Sequence, residues 1–399
     1  MFWQGEEIDM VLAGKDFHGL KSVPFIWLLA LTMLMGGCSV GPQLLKGNRY
    51  DYNLSIQKSN NEELILNIVR TRYAESIFFL QVGSIASHFG YSSSIGLSSS
   101  MDRLSGAANP ASGALRPSIG ATFSESPTIT YTPMQGEKAI RLLQSELTLD
   151  RFQILAQIGW DIEVLMWLVV DKIGATKNMK NDMLNGNLNS EDYGIFLDLA
   201  QHLSRIQRRG DLEFLGFYKK EGEVDRLSVQ LRFLDQQEAD QVEGLLNVRP
   251  ERVAGPGGRI VSKVVLTSVD HYGSCWGAQV KCNQVPVKLR SFFNILLGLS
   301  YYVEISPAEQ TLRIVRPFQP LPDDFAHRSG PHKGLVRVKA QSAYPDNAYI
   351  AIPYRSHWFY LADDDVQSKI FLSLVKTIYS LQSGDLQTVE PILTIPVGR

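Results

Sequence analysis

The sequence predicts an α+β fold, and three observations lead to that prediction. Segments with the alternation of β-strands are interspersed among segments with helical spacing, without the regular alternation of a parallel α/β sheet. The 399 residues are 44% apolar and 20% charged, an ordinary balance for globular domains. Residues 87–126 are rich in serine and glycine and nearly free of charge. We therefore expect a helix-rich middle, a mixed strand and helix C-terminal part, and a long β-hairpin.

The first residues of the chain have the pattern of an export signal. Residues 23–35 carry no charge, follow Lys15 and Lys21, and precede two glycines and Cys38. A membrane-spanning helix takes about 20 apolar residues, so this shorter run fits the core of a signal peptide better. An uncleaved anchor helix is the alternative. The acidic residues before Met10 are atypical of a leader, and Met10 is a second candidate start.

Met35-Gly36-Gly37-Cys38 resembles a bacterial lipobox, with Met where Leu is more usual. The resemblance implies that residues 1–37 are removed and that Cys38 is linked to diacylglycerol and acylated at its new amine. Each buried methylene adds about 0.8 kcal/mol of membrane affinity, so several chains give lasting attachment. Residue 39 is Ser, whereas Asp there would resemble an inner-membrane retention signal. We expect a lipid-anchored protein of the outer membrane that faces the periplasm.

The remaining chain is predicted to form a tether and two domains. Residues 38–59 are the lipidated tether, 60–248 an N-terminal α+β domain and 249–399 a C-terminal α+β domain, divided at the turn-rich segment 249–258. Helical spacing predicts helices over residues 60–75, 136–147, 148–158, 161–173, 190–207, 236–247, 287–302 and 365–381. Alternation predicts strands over residues 77–85, 128–132, 212–218, 227–234, 259–269, 311–315, 335–339, 348–353 and 392–397.

Residues 87–126 contain two alternating runs on either side of a polar middle, which predicts a long β-hairpin. One interpretation is a flexible surface hairpin or low-complexity loop. The other is a hairpin that inserts into a membrane, because transmembrane strands need only 9–11 residues of alternating polarity. One hairpin cannot close a barrel, so insertion demands a ring of subunits.

Residues 354–365, with Pro391 and the apolar residues after it, resemble the tail of an uncharacterised family of bacterial lipoproteins. Residues 61–70 and 128–133 resemble its front half, so the similarity extends over most of the chain after Cys38. The acidic residues before Met10 and Met35 of the lipobox depart from the pattern. The resemblance implies an envelope lipoprotein and carries no activity. Independently, Asp363-Asp364-Asp365 is predicted to cap a helix rather than to hold a cation.

Cys275 and Cys282 are the only other cysteines. The periplasm is oxidising, so two thiols close in sequence predict a disulfide there. A zinc pair is less favoured because no CxxC or HxxxH pattern accompanies them. The segment around Cys275 resembles the nucleophile segment of papain-like proteases, but the downstream histidine spacing does not fit.

The same sequence argues against several classes of function. Its formal net charge is −2, so nothing favours a nucleic-acid partner. It contains no P-loop and no dinucleotide-binding motif, and its histidines form no metal-ligand pattern, so no cofactor and no metal site are predicted. No catalytic set converges, which predicts a protein that is not an enzyme. Arg205, Arg208 and Arg209 are interpreted as a solvated helix end.

Three functional hypotheses follow. The favoured one is a lipid-anchored envelope protein with a structural or protein-interaction role and envelope proteins as partners. The second is an oligomeric outer-membrane assembly or export component, a homo-oligomer whose hairpin inserts in the bilayer. The third is a periplasmic hydrolase, which requires a pocket where histidine and acidic groups converge.

Overall fold

The structure, a computed structural model, describes residues 40–100, 114–178, 190–221, 224–255, 258, 260–268, 283–317 and 336–384. Residues 1–60 and 61–399 form two separate compact units. Helices and strands are interspersed without regular alternation, which confirms the predicted α+β fold. The predicted leader 1–37 and the predicted strand 392–397 lie outside the described residues.

Helix α1 spans Val40–Arg72, so it begins well before the predicted residue 60. Residues 40–59, predicted as part of the lipidated tether, are helical. Pro42 lies in the first turn of this helix, where proline is tolerated. The predicted apolar face is confirmed near the other end, since Ile65, Ile68 and Val69 are fully buried.

Strands β1 (Leu80–Ser100) and β2 (Ala114–Pro133) follow α1 and pair antiparallel. They confirm the predicted hairpin and extend it at its base, because the predicted strands 77–85 and 128–132 continue into the same two strands. A register shift between Val82 and Ser84 interrupts the otherwise regular ladder. The two strands form a sheet of their own, and within the described residues no third strand joins it.

A mixed sheet of seven strands lies in the second unit. Its strands are β3 (Val170–Ile173), β4 (Thr176–Lys177), β5 (Leu212–Glu221), β6 (Val224–Phe233), β7 (Glu251–Ala254), β8 (Ile260–Ser268) and β9 (Gln284–Leu289). The order is β4-β3-β9-β8-β6-β5, with β7 also on β8. β8 and β9 are parallel, and the other pairs are antiparallel. Strands from both sides of residue 249 share this sheet, so the predicted domain boundary falls inside one compact unit.

The helices of this unit pack beside and around the sheet. They are α2 (Gly136–Gln144), α3 (Leu149–Gln157), α4 (Ile162–Val169), α5 (Ser190–Arg209), α6 (Gln236–Leu246), α7 (Phe292–Ser300) and α8 (Pro307–Thr311). α3 contacts β5 and β6, and α5 contacts α4 and α6. Except for Leu142 and Leu297, their buried apolar residues belong to one hydrophobic core. Asp161 and Asp235 cap α4 and α6 by accepting hydrogen bonds from backbone N–H groups.

Residues 161–173, predicted as one buried helix, change conformation at Val170. α4 ends at Val169 and β3 begins at the next residue, where it pairs with β9. Two buried side chains satisfy the carbonyls at the change: Asn178 donates to Trp167 and Val170, and Arg290 donates to Trp167 and Leu168. Burial lowers the pKa of the Arg290 guanidinium to about 10. A continuous apolar run gives no periodicity to separate strand from helix, so this change was not predicted.

Two further predictions of secondary structure were wrong. Residues 287–302 are not one helix, because strand β9 occupies residues up to Leu289 before α7 begins at Phe292. Residues 311–315 are not a strand, because Thr311 ends the short helix α8 and Arg313 adopts a positive φ of 54°. A full capping box, Ser306 with Glu309, starts α8.

A second, smaller sheet contains β10 (Lys339–Gln341), β11 (Ala348–Tyr354) and β12 (His357–Ala362), in the order β10-β12-β11. β11 and β12 form a hairpin with a two-residue turn, Arg355-Ser356, at which both φ angles are positive. Ile352 and Phe359 face each other across it and are 5% and 0% exposed. Helix α9 (Val366–Gly384) closes the described chain, close to its predicted limits of 365–381.

Candidate functional site

The long hairpin β1–β2 is the first candidate site, because its register separates two kinds of residue. Ile95 pairs with Ile119, and Tyr91 pairs with Phe123, so odd-numbered positions share one face. In the outer half of the hairpin this face holds Phe89, Tyr91, Ser93, Ile95, Leu97, Ser99, Leu115, Pro117, Ile119, Ala121, Phe123 and Glu125. The opposite face holds Gly90, Ser92, Ser94, Gly96, Ser98, Arg116, Ser118, Gly120, Thr122 and Ser124.

The outer half of the hairpin has the length of a membrane span. Residues 89–99 contain no charged residue, and their partners 115–125 contain charges only at Arg116 and Glu125, near the two ends. Eleven residues rise about 33 Å along a strand, which is about 25 Å of height at a tilt of about 40°. That height equals the apolar band of a transmembrane barrel.

The base of the hairpin is fixed to helix α1. The Asn67 side chain is fully buried, donates to the Phe78 carbonyl at 2.7 Å and accepts from the Phe78 N–H at 3.0 Å. Glu63 accepts a hydrogen bond from the Leu80 N–H at 2.6 Å, and burial raises the pKa of this carboxyl. The Phe79 ring packs against Tyr379, with ring centroids 4.8 Å apart. The described contacts therefore hold the first residue of β1 and the two residues before it.

The turn of the short hairpin β11–β12 is also fixed to the end of α1. Glu75 accepts hydrogen bonds from the Tyr354 hydroxyl and from the Arg355 guanidinium, which lies 4.8 Å above the Tyr73 ring. The hydrogen bond from Tyr354, followed by the one from Arg355, lowers the pKa of the Glu75 carboxyl. The Tyr73 hydroxyl donates to Glu309 at 2.9 Å. These groups are hydrogen-bond partners of one another, so we interpret the cluster as a structural contact that holds the turn against the end of α1.

A second candidate site is a cleft of about 640 Å³ between α4, α5 and α6. Its wall includes the buried His202 with Glu163 and Asp198, so histidine and acidic groups do converge here. His202 Nε2 lies 2.5 Å from Glu238 Oε2, an ion-pair distance without the angles of a hydrogen bond. Arg205 Nη2 lies 2.9 Å from His202 Nδ1.

The partners of His202 argue against a catalytic role for this ring. A guanidinium has only donors, so His202 Nδ1 must accept from Arg205 and the ring proton is assigned to Nε2, which faces Glu238. A general base needs an accepting nitrogen that is open to substrate. Here the accepting nitrogen is occupied by Arg205. The nearby Ser204 hydroxyl donates its hydrogen bond to Asp161 at 2.8 Å and not to His202. It is therefore not arranged as a nucleophile that His202 would activate.

The three arginines at the end of α5 are exposed, as their interpretation from sequence expects, and each also contacts a side chain. Arg205 contacts His202, Arg208 donates to Asp161 at 2.6 Å, and Arg209 lies 2.8 Å from Glu238. Burial opposes ionisation of Asp161, but hydrogen bonds from Arg208 and Ser204 outweigh it and lower the pKa of this carboxyl. Asp161 lies 47 positions before Arg208, and Glu238 lies on a different helix from Arg209, so no local spacing signals these two contacts. His202, by contrast, lies three positions before Arg205 on the same helix.

The predicted site residues have mixed outcomes. Cys38, Cys275 and Cys282 lie outside the described residues. The predicted helix cap is confirmed at Asp365, which accepts from the Ser368 N–H at 3.0 Å, while Asp363 pairs with Lys369. Within the described part of the chain, no group of three or more His, Cys, Asp or Glu residues is arranged to hold a metal ion.

The chain matches no family model, no curated protein and no solved structure. Among the helices that the structure describes, none is long and apolar enough to cross a membrane. The fold and the two sites are therefore the basis for any functional argument.

Proposed function

We propose that this protein is a lipid-anchored outer-membrane protein whose long hairpin joins the hairpins of neighbouring copies in a membrane-inserted ring. The observation that carries the proposal is the register of β1 and β2, which gives one mostly apolar face, with Glu125 near one end, and one hydroxyl-rich face over the length of a membrane span. The lipobox around Cys38 supports the location, and the bilayer supplies the lipid partner.

The free edges of the hairpin support a partner of the same kind. A two-stranded ribbon is marginally stable in water. In a bilayer, an unpaired strand edge costs several kcal/mol per unsatisfied group, so only a closed barrel is viable. The β1 edge of one copy can pair with the β2 edge of the next, a head-to-tail contact that closes into a ring. Pro117 and Pro127 each remove one N–H donor from β2, so the full ladder has gaps at these positions.

The fixed base gives the hairpin a defined direction. Asn67 and Glu63 hold the chain just before and at the start of β1, so each copy projects its ribbon from its folded unit in the same way. A ring requires such equivalence between copies. The inner half of the ribbon, from Leu80 to His88, adds about 27 Å between the folded unit and the apolar band.

The hydrolase hypothesis receives less support. The cleft between α4, α5 and α6 holds a histidine and acids, but both nitrogens of His202 have partners within the fold. A structural or interaction role without insertion is the competing hypothesis. It predicts a hairpin surrounded by water on both faces.

Two substitutions on neighbouring positions distinguish the hypotheses. Ile95→Cys and Ser94→Cys place one thiol on each face of the ribbon, at the same height. In native outer-membrane vesicles, insertion predicts that a lipid-soluble maleimide labels the Ile95→Cys protein and a charged maleimide labels only the Ser94→Cys protein. The unsubstituted chain measures background labelling. Equal labelling of both variants by the charged reagent, with a monomeric mass after mild detergent extraction, would contradict the proposal.

The lipid anchor is tested separately. Mass spectrometry of the N-terminal peptide of the mature protein should find a chain that begins at residue 38 and carries diacylglycerol and a third acyl chain. A Cys38→Ala chain should retain its leader. An unmodified cysteine in the native protein would contradict lipidation and leave the insertion result standing.

A further inference from the structure

We infer that the assembled hairpins enclose a water-filled pore that conducts small hydrated ions and prefers anions, with Arg116 as the residue that sets this preference. The inference rests on the proposed ring and adds the chemistry of its lumen. It concerns the even-numbered face of the ribbon, opposite the apolar face.

The composition of that face is the first argument. Between Gly90 and Ser98, and between Arg116 and Ser124, the register places only glycine, serine, threonine and one arginine on it. When the apolar face meets lipid, this face bounds the interior of the barrel. Hydroxyl and backbone groups can replace the hydrogen bonds of water, but they carry no net charge. No side chain on this face is large and apolar enough to form a dry constriction.

The small size of these residues is the second argument. Ser94 and Gly120 are directly opposite each other, and a Cβ atom added at Gly120 would lie only 2.9 Å from the Ser94 hydroxyl. Both residues are exposed in the single chain. A face built from such short residues leaves the interior of a ring open instead of filled by side chains.

The position of Arg116 is the third argument. It lies opposite Ser98, at the distal end of the charge-free segment. It is the one residue with a permanent charge on this face between positions 90–98 and 116–124. Each copy contributes one such residue at the same register position, so a ring repeats this positive charge at one end of the charge-free segment. Rings of arginine favour anions in pores. Asp102 and Arg103, whose charges oppose each other, lie outside the described residues.

Planar-bilayer recordings of the purified full-length protein test the inference. A KCl gradient gives the reversal potential and hence the chloride-to-potassium permeability ratio. We expect a ratio above one for the native protein, about one for Arg116→Gln, and below one for Arg116→Glu. Arg116→Lys should keep the native preference. Arg249→Gln, the same charge change at an exposed residue of the folded unit, should leave the ratio unchanged.

The outcomes separate this inference from the proposed function. An oligomer that labels as inserted but does not conduct, or whose permeability ratio is the same in the native and Arg116→Gln proteins, overturns the pore and leaves the ring intact. A monomer whose hairpin faces water on both sides overturns both. If Arg116→Gln fails to assemble, retained anion preference in Arg116→Lys together with reversal in Arg116→Glu supports the inference, and no reversal overturns it.

Discussion

The two hairpins of this protein have the same alternating pattern and differ in the sheets to which they belong. In β11–β12, alternate residues such as Ile352 and Phe359 are buried in the core of the folded unit. In β1–β2, alternate residues such as Ile95 and Ile119 share a face of a two-stranded sheet to which no other described strand is joined. Alternation therefore identifies a ribbon with one apolar face, whereas only the fold identifies whether protein covers that face.

The largest expected difference between the hairpins is in folding stability. Phe359→Ala should lower the free energy of unfolding by about 3–5 kcal/mol, because the ring is fully buried and its removal leaves a cavity. Ile119→Ala should change it by less than about 0.5 kcal/mol, because Ile119 belongs to a two-stranded sheet that no other described strand joins. Urea denaturation followed by tryptophan fluorescence gives both values. Equal costs for the two variants would mean that protein covers the long hairpin as well.

A smaller effect is expected at the base of the long hairpin. Asn67→Ala removes two hydrogen bonds to Phe78 and should cost about 1–3 kcal/mol, because the Phe78 backbone groups lose their partners. Hydrogen exchange at the Phe78 amide should accelerate in parallel. Asn67→Asp keeps the acceptor for that amide and serves as the control, with slower exchange than the alanine variant. Unchanged exchange in Asn67→Ala would remove the argument that the base is fixed.

The structural contact at the turn of the short hairpin predicts a dependence on pH. The folded-state pKa of Glu75 lies below its unfolded value, so its contribution is present above about pH 4.5 and is lost as the pH falls through the folded-state pKa. The native protein should melt at a higher temperature than Glu75→Gln at about pH 7, and the difference should shrink towards about pH 3. Glu137→Gln, which removes an exposed ion pair with Arg141, is the control. A difference that is independent of pH would contradict this assignment.

The smallest effect is expected within the long hairpin itself. Gly120→Ala introduces a close contact only with the end of the Ser94 side chain, which can rotate away, so we expect a cost of at most about 0.5 kcal/mol. Gly174→Ala should cost about 1–2 kcal/mol, because Gly174 has a φ of +57°. Thermal denaturation of both variants measures the contrast. A larger loss at Gly120 would indicate that neighbouring strands crowd this position.

The sequence predicts those parts of the fold that local periodicity determines. The alternation in residues 87–126 and the acidic cap at Asp365 are local, and both are found. The change from helix to strand at Val170 depends on β9 and Arg290, more than 100 positions later, and could not be predicted. The contact between His202 and Glu238 joins two helices and has no spacing signal. The sequence does not predict that β1 is one continuous strand from Leu80 to Ser100, because its inner and outer halves differ in composition.

The seven-stranded sheet contains strands from both sides of residue 249, and this affects when the sheet can form during synthesis of the chain. β3 is synthesised early, but its neighbour β9 begins only at Gln284, so β3 has no lateral partner on that side until much later in translation. Pairing of segments this distant slows folding and leaves an incomplete sheet edge in the meantime. A chain that stops near residue 249 would lack three strands of the sheet. Truncation at the turn-rich segment near residue 249 should therefore prevent the sheet from forming completely.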